Sequence, residues 1–386
     1  MIKLMKSTFY KETEAKQALC DFIISADQLS IGNQCAGFED KFAQWHGRSY
    51  GVMFNSGSSA NLALIKALVN LGKLKRGDRV AFSAITWATN VMPIIQLGLV
   101  PVPIDVEVST LNTSAAQVRT AYAAQPFACF FITNLLGFCD TIDEIAQFCR
   151  EKNILLLEDN CESLGSVYKG TKLGNFGYAS TYSFYVGHHL STVEGGMVLT
   201  DDPELSAMLK MVRSHGWDRH LSAEEQLRLR QQHGVEEFYA KYTFYDLAYN
   251  LRPTEIQGFL GQHQLGYLDE MIQTREKNYQ RLSEVYANPD FITLTPKMDV
   301  YSNFAFPIIC KTPEIRKRYL KRCQEAEIEV RPIVGGSMML QPFYKKHVQD
   351  VAVCPNAEYI HKLGFYVGNN PELTEEELVT MLSALQ

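Results

Sequence analysis

Close cysteine spacing is missing from this chain. Its nine cysteines are scattered and no two form a Cys-x-x-Cys pair. Zinc and iron–sulfur sites usually announce themselves by such spacing, so the scatter argues against a metal or a cluster. It predicts reduced, buried thiols and a cytoplasmic protein. A basic excess is missing too. The net charge is -6, which argues against a general binder of nucleic acid but leaves small acidic substrates within reach of a few arginines and lysines. No apolar run approaches the ~20 residues that span a bilayer. The strongest, Phe127 to Ile132 and Ile154 to Leu157, have the length of buried strands. Met1 to Tyr10 carries lysines but no apolar core followed by a small-residue cleavage site, so no targeting segment is expected. No Gly-x-Gly-x-x-Gly follows the first strand, which counts against a nicotinamide enzyme. Internal repeats and low-complexity linkers are also absent.

What is present is alternation. Gly51 to Phe54 reads as a strand and Ser58 to Leu71 as the helix after it. Arg79 to Phe82 is a second strand, followed by a helical Trp87 to Leu97. Val100 to Ile104, Ala128 to Ile132 and Ile154 to Glu158 continue the series. Thr141 to Lys152 fits an amphipathic helix with Ile142, Ile145, Ala146 and Cys149 on one face. Such alternation predicts an α/β fold with a mostly parallel sheet, and ligands at the carboxyl ends of its strands. Residues 201–267 read as largely helical and polar, with Ala223 to Gln232 exposed. Beyond them a long helix, Leu268 to Tyr286, leads to strands near Phe304 to Ile309 and Glu329 to Pro332 and to a last helix, Thr374 to Leu385. The expected division is a large α/β domain over residues 1–255 and a smaller α+β domain over 256–386.

Three stretches carry chemistry. Asn55-Ser56-Gly57-Ser58-Ser59-Ala60 follows a strand and opens a helix. It suits an anion bound by free amides at a positive helix end, and suits equally a turn capped by a serine. Leu155-Leu156-Leu157-Glu158-Asp159-Asn160-Cys161-Glu162 ends a buried strand in two acids. A carboxylate there could pair with a protonated ring nitrogen, or simply close the strand. In Ser183 to Gly196 a strand-like stretch runs into Gly187-His188-His189 and then Glu194-Gly195-Gly196. Histidine titrates near neutral pH and serves as general acid and base. On an extended chain His188 and His189 would face opposite ways, which disfavours joint ligation of a metal.

The order SGSSAN, ITWATN, LLLEDNCESLGS, GTKLGNFGYASTYSFY, EGGMVLTDD and YNLRPTEIQG resembles the fold-type-I sugar aminotransferase/dehydratase family over essentially the whole chain. The resemblance implies pyridoxal 5'-phosphate (PLP) as cofactor, nucleotide-linked keto-sugars as substrates, and a homodimer with active sites at the subunit interface. It implies that Gly57 and Ser58 hold the cofactor phosphate with help from Ser183, that Trp87 stacks on the pyridine ring, and that Asp159 pairs with its nitrogen. Glu162 would lie near the ring hydroxyl, and Asn250 would reach the phosphate of the other subunit.

One position departs from the family pattern. The lysine that would form a Schiff base with PLP is replaced by His188, and an imidazole cannot form that bond. In this the chain resembles the 3-dehydratase branch, which works with pyridoxamine 5'-phosphate (PMP). His215, Trp217 and Arg219 resemble that branch as well. The implied reaction removes the C3 hydroxyl of a nucleotide-linked 4-keto-6-deoxyhexose, GDP-4-keto-6-deoxymannose in particular. His188 would be the base, L-glutamate would regenerate PMP, and no iron–sulfur cluster would take part. Arg331 is a candidate for substrate phosphate or carboxylate, or for a buried ion pair. Two other readings stay open: an aminotransferase whose lysine has been replaced, and a non-catalytic B6-binding regulator.

Overall fold

The computed structural model describes residues 1–349 and 352–386. Its main sheet contains β1 (Tyr50–Phe54), β2 (Arg79–Ser83), β3 (Val100–Ile104), β4 (Cys129–Thr133), β5 (Leu155–Asp159), β8 (Ala179–Ser183) and β9 (Gly196–Thr200). Between β5 and β8 lies the small hairpin of β6 (Val167–Tyr168) and β7 (Thr171–Lys172). The order across the main sheet is β1-β9-β8-β5-β4-β2-β3. The pairs from β3 through β2, β4 and β5 to β8 are parallel, and β9 runs antiparallel to both of its neighbours. Helices cover both faces, so strands such as Cys-Phe-Phe-Ile-Thr in β4 and Gly-Met-Val-Leu-Thr in β9 are buried at every position. A parallel sheet requires this, because its crossovers lay helices over each side.

After β3 the chain returns to place β4 on the other side of β2. That reversal of strand order opens a crevice at the carboxyl ends of β2, β4 and β5. A second, antiparallel sheet has the order β10 (Ala305–Ile309), β12 (Gly364–Gly368), β11 (Val330–Arg331). Its Phe306, Ile308, Phe365 and Val367 belong to the same apolar core as Val80, Phe82 and Phe130 of the main sheet. The first residues run beside the segment that leads into β11, since Ile2 bridges Ile328.

Several elements differ from the sequence expectation. The helix expected over Trp87 to Leu97 shrinks to a 3-10 turn, Ala88–Asn90, and a short helix, Met92–Gln96. The reason is local: Asn90 turns its side chain inward to Asp159, and Pro93 cannot donate to the turn before it. Residues 201–267 hold three helices, Pro203–Arg213, Ala223–Gln232 and Glu255–Leu265, separated by a long irregular stretch. Ala223–Gln232 has no buried residue, as expected. The long helix ends at Leu282 and passes into a 3-10 turn, Ser283–Ala287. Only Val330–Arg331 of the second small-domain strand pairs. The central strand of that sheet, β12, and the first two helices, Glu12–Ser25 and Asn33–His46, had no counterpart in the expectation.

Candidate active site

A cavity of about 420 Å³ opens at the carboxyl ends of the main-sheet strands, roofed by the smaller sheet. Gly57, Ser58, Trp87, Asp159, Glu162, Ser183, His188 and Arg331 all line it. Residues as far apart in the chain as Gly57 and Arg331 thus meet in one place.

The floor of one end is the start of helix Gly57–Asn70. Ser56 caps it, its hydroxyl accepting the Ser59 N–H at 3.1 Å. The turn is therefore both of the things the sequence allowed, a capped helix start and a cradle of amides facing the cavity. Packing demands the glycines here. A Cβ on Gly57 would lie 2.6 Å from Cβ of Ser183, and one on Gly196 would lie 2.3 Å from the Ser56 carbonyl oxygen. A helix start of this kind attracts an anion such as a phosphate.

The two consecutive acids have separate tasks. Glu158 is fully buried and accepts N–H groups of Gly174, Phe176 and Gly177 and the Asn134 amide, so it fixes the loop before β8. Asp159 faces the cavity. Its carboxylate accepts the amides of Asn61 at 3.0 Å and Asn90 at 2.7 Å, and the N–H of Cys161 at 2.9 Å. These donors fix its direction, which a partner for a protonated ring nitrogen requires. Trp87 stands 54% exposed at the cavity edge, an apolar plane with little packed against it. Glu162 is buried and accepts the Leu136 N–H at 2.9 Å. Burial pushes its carboxyl up to about 8, and the nearby Asp159 charge adds to the rise.

After β8 the chain does not continue extended. It turns at Val186 and Gly187, and both histidines point inward. The sequence argument from opposite faces of a strand is corrected by this turn. His189 is buried and bonded to the Ser302 carbonyl at 3.0 Å. His188 borders the cavity beside Phe304. Enclosure by protein lowers its imidazole to about 4, with the Asp159 charge pulling the other way and Arg275 reinforcing the drop. The imidazole is thus neutral at cellular pH, with a ring nitrogen free to accept a proton. No lysine lines the cavity among the described residues. Nor do three His, Cys, Asp or Glu side chains converge as a metal group there or elsewhere in the described chain.

Arg331 lies at the mouth and bonds Glu329 at 2.8 Å, but the pair is solvent-accessible rather than buried. The smaller sheet reaches the mouth because residues 332–337 press on the loop after β2. A Cβ on Gly335 would lie 2.5 Å from the Thr86 carbonyl oxygen. Three candidates do not line the cavity of their own chain: His215, Arg219 and Asn250. His215 packs edge-on to Trp217, Arg219 stacks on the Trp217 ring at 3.8 Å, and Asn250 is exposed and bonded to Arg252. Sequence reasoning missed Asn61, Asn90 and Leu136, which orient the acids, and Phe304, just before β10, and Tyr366 of β12. Asn61 and Asn90 stand inside stretches already marked. The others give no signal, since their roles depend on long-range packing.

The residues present fit a B6 cofactor: an anion cradle, a held carboxylate, an exposed aromatic plane and a neutral histidine share one cavity. The model of the DegT/DnrJ/EryC1/StrS aminotransferase family matches residues 10–386. A GDP-4-keto-6-deoxy-D-mannose 3-dehydratase of Yersinia pseudotuberculosis is 34% identical over 94% of this chain and 93% of its own. Two solved structures share 30% identity and cover 100% of both chains. One is a histidine-to-asparagine variant of GDP-4-keto-6-deoxymannose-3-dehydratase with bound GDP-perosamine, at a TM-score of 0.90. The other is GDP-4-keto-6-deoxymannose-3-dehydratase with a trapped PLP–glutamate geminal diamine, at 0.89.

Proposed function

Because the chain belongs to the DegT/DnrJ/EryC1/StrS aminotransferase family, we propose that it is a PLP/PMP-dependent 3-dehydratase of a nucleotide-linked 4-keto-6-deoxyhexose, GDP-4-keto-6-deoxymannose. The observation that carries this reading is a cavity fitted for a B6 cofactor whose wall offers a histidine and no lysine among the described residues. The names of the relatives supply the sugar.

The chain's own residues have these tasks. The amides at Gly57 and Ser58 and the Ser58 and Ser183 hydroxyls hold the cofactor phosphate. Asp159 faces the ring nitrogen and keeps it protonated, and Trp87 covers the ring. When bound in its amine form, the cofactor supplies a nitrogen that joins the sugar ketone and a ring that accepts electrons. His188 would take up a proton from the cofactor's methylene carbon and return one to the C3 hydroxyl, which would leave as water, so that it acts as base and then acid. L-Glutamate restores the amine form, which the relative trapped with PLP and glutamate supports. No iron–sulfur cluster takes part, a reading supported by cysteines that are single and mostly buried. The same free cysteines support work in the cytoplasm. No helix among the described residues is long and apolar enough to cross a membrane.

The active unit is a homodimer. Phe238, Tyr242, Phe244 and Leu247 are 84, 75, 58 and 76% exposed, more apolar surface than a lone chain normally leaves in one stretch. In the dimer Asn250, His215 and Arg219 serve the neighbour's cavity. Residues 1–255 and 256–386 form the two domains, with the first five residues accompanying the second.

The test is an absorbance spectrum after adding PLP, with and without L-glutamate, followed by an ammonia assay with GDP-4-keto-6-deoxymannose. Free-aldehyde PLP that glutamate converts to PMP, and sugar-dependent ammonia release, are expected. A covalently tethered cofactor would return the aminotransferase reading, and no turnover with either substrate the regulator.

A further inference from the structure

Glu162 holds an unusual position for an acid. It is 5% exposed and lies three residues beyond Asp159, on the same cavity wall. Asp159 is met by three N–H donors. Glu162 is met by one, the Leu136 N–H at its Oε2. No cation pairs with it among the described residues, the one hydrogen bond it receives there is at Oε2, and its side chain lines the cavity. The groups facing it are the Asp159 carboxylate, the Cys161 thiol and the Tyr366 hydroxyl, none of them a cation. His188 and Arg331 line the same cavity without bonding it.

The single donor is held at a cost. Leu136 has φ 54° and ψ 33°, a left-handed conformation that is unfavourable for a residue bearing a side chain. The turn is locked on both sides. Asn134 N–H bonds the Asp159 carbonyl at 3.0 Å, and Asn303 bonds the Leu136 carbonyl. Two carboxyls on one wall cannot both ionise cheaply, and the one with fewer donors keeps its proton.

We propose that Glu162 is an un-ionised carboxylic acid at neutral pH, its Oε2 fixed by the Leu136 N–H and its Oε1–H offered as a hydrogen bond to an anionic ring oxygen of the cofactor. Glu162 is thereby a positioning donor at the cofactor, distinct from the proton-transferring His188. Ionised, the same side chain would set a negative charge against that oxygen. This rests on the B6 reading of the cavity only for the identity of the acceptor. The rise of the Glu162 carboxyl to about 8 places the change of state just above neutral pH.

The experiment has two parts. Infrared difference spectra of the cofactor-free protein are recorded across pH for wild type and Glu162→Gln. A protonated-carboxyl band present at pH 7 in the wild type, lost above pH ~8 and absent from the variant, is expected. In Asp159→Asn the band should be lost at lower pH than in the wild type, because the neighbouring negative charge that favours protonation is gone. PLP binding is then titrated by fluorescence at pH 7 and 9. Wild-type affinity should fall about tenfold, as expected when a buried donor is lost, while Glu162→Gln, which keeps an N–H donor, should change by less than twofold. Absence of the band at pH 7 overturns the proposal. An equal fall in both proteins overturns the donor role. If PLP binds neither protein, the B6 reading fails and the donor role with it, while the infrared result still decides the charge state.

Discussion

At the scale of single residues, function rests on which of two groups of like chemistry faces the cavity. Glu158 and Asp159 are neighbours in sequence, yet one is consumed by a loop and the other faces the cavity. His188 and His189 are neighbours too, and only His188 borders the cavity mouth while His189 is tied to a backbone carbonyl. His188→Asn should cut dehydration by about 10²–10⁴-fold, the usual worth of a general acid–base group, and leave PLP affinity within a few-fold; retained turnover would remove His188 from that role. The same residue sets a pH dependence. Its folded-state value, about 4, lies below the ordinary 6.5, so the folded protein binds this proton less readily than the unfolded chain. Its contribution to stability is present above pH 6.5 and is lost as pH falls toward 4. Melting curves of the cofactor-free proteins should therefore show His188→Asn gaining on wild type as pH drops through that window. Parallel curves would mean that the imidazole is not held neutral by the fold.

At the scale of elements, the site depends on helices held by distant parts of the chain. Helix Asn33–His46 begins at Gly32, which has no side chain to cap it. Glu255, from the helix Glu255–Leu265, accepts the N–H groups of Gly32, Gln34 and Cys35 at 2.8, 2.8 and 3.0 Å. A carboxylate at a helix start also meets the positive end of the dipole. Glu255→Ala should lower unfolding stability by about 2–3 kcal/mol in urea titrations, since it strands charge-assisted donors in a buried place. A change below ~0.5 kcal/mol would show that water replaces the cap. The last helix, Glu375–Leu385, is closed by a capping box between Thr374 and Glu377. There the acids Glu375 and Glu376 in the first turn already announced the start in the sequence.

At the scale of the whole molecule, the proposed homodimer would complete each site with residues of the neighbouring chain. Asn250 and Arg219 lie off their own cavity, near a run of exposed aromatic and aliphatic side chains. If each site borrows Asn250 from the neighbour, His188→Asn and Asn250→Ala chains mixed and reassembled should recover activity that neither has alone. Half of the dimers would be mixed and each would hold one intact site, so about a quarter of wild-type activity is expected from a closed two-fold assembly. No recovery, with a dimer demonstrated by light scattering, would confine each site to one chain.

The amino-acid sequence by itself determined the periodic parts: the strands of the main sheet, the helix after β1, the amphipathic helix Ile142–Lys152 and the order of the chemical stretches along them. Local rules decide these, because alternation, helical spacing and glycine turns act over a few residues. The substitution that matters most, His188 in place of a lysine, was legible in the same way, by counting from Ser183. What the tertiary structure alone decided is which polar group faces which surface. The turn at Gly187 that carries His188 to the cavity, the strained Leu136 that holds Glu162 and the smaller sheet that brings Arg331 and Tyr366 overhead all depend on contacts between residues far apart in the chain. β12, whose Gly-Phe-Tyr-Val-Gly is too short to be distinctive, becomes a central strand only when β10 and β11 pair on its two sides. Orientation toward the cavity is a property of the assembled fold, and among acids that are all buried it separates the structural Glu158 from the working Asp159.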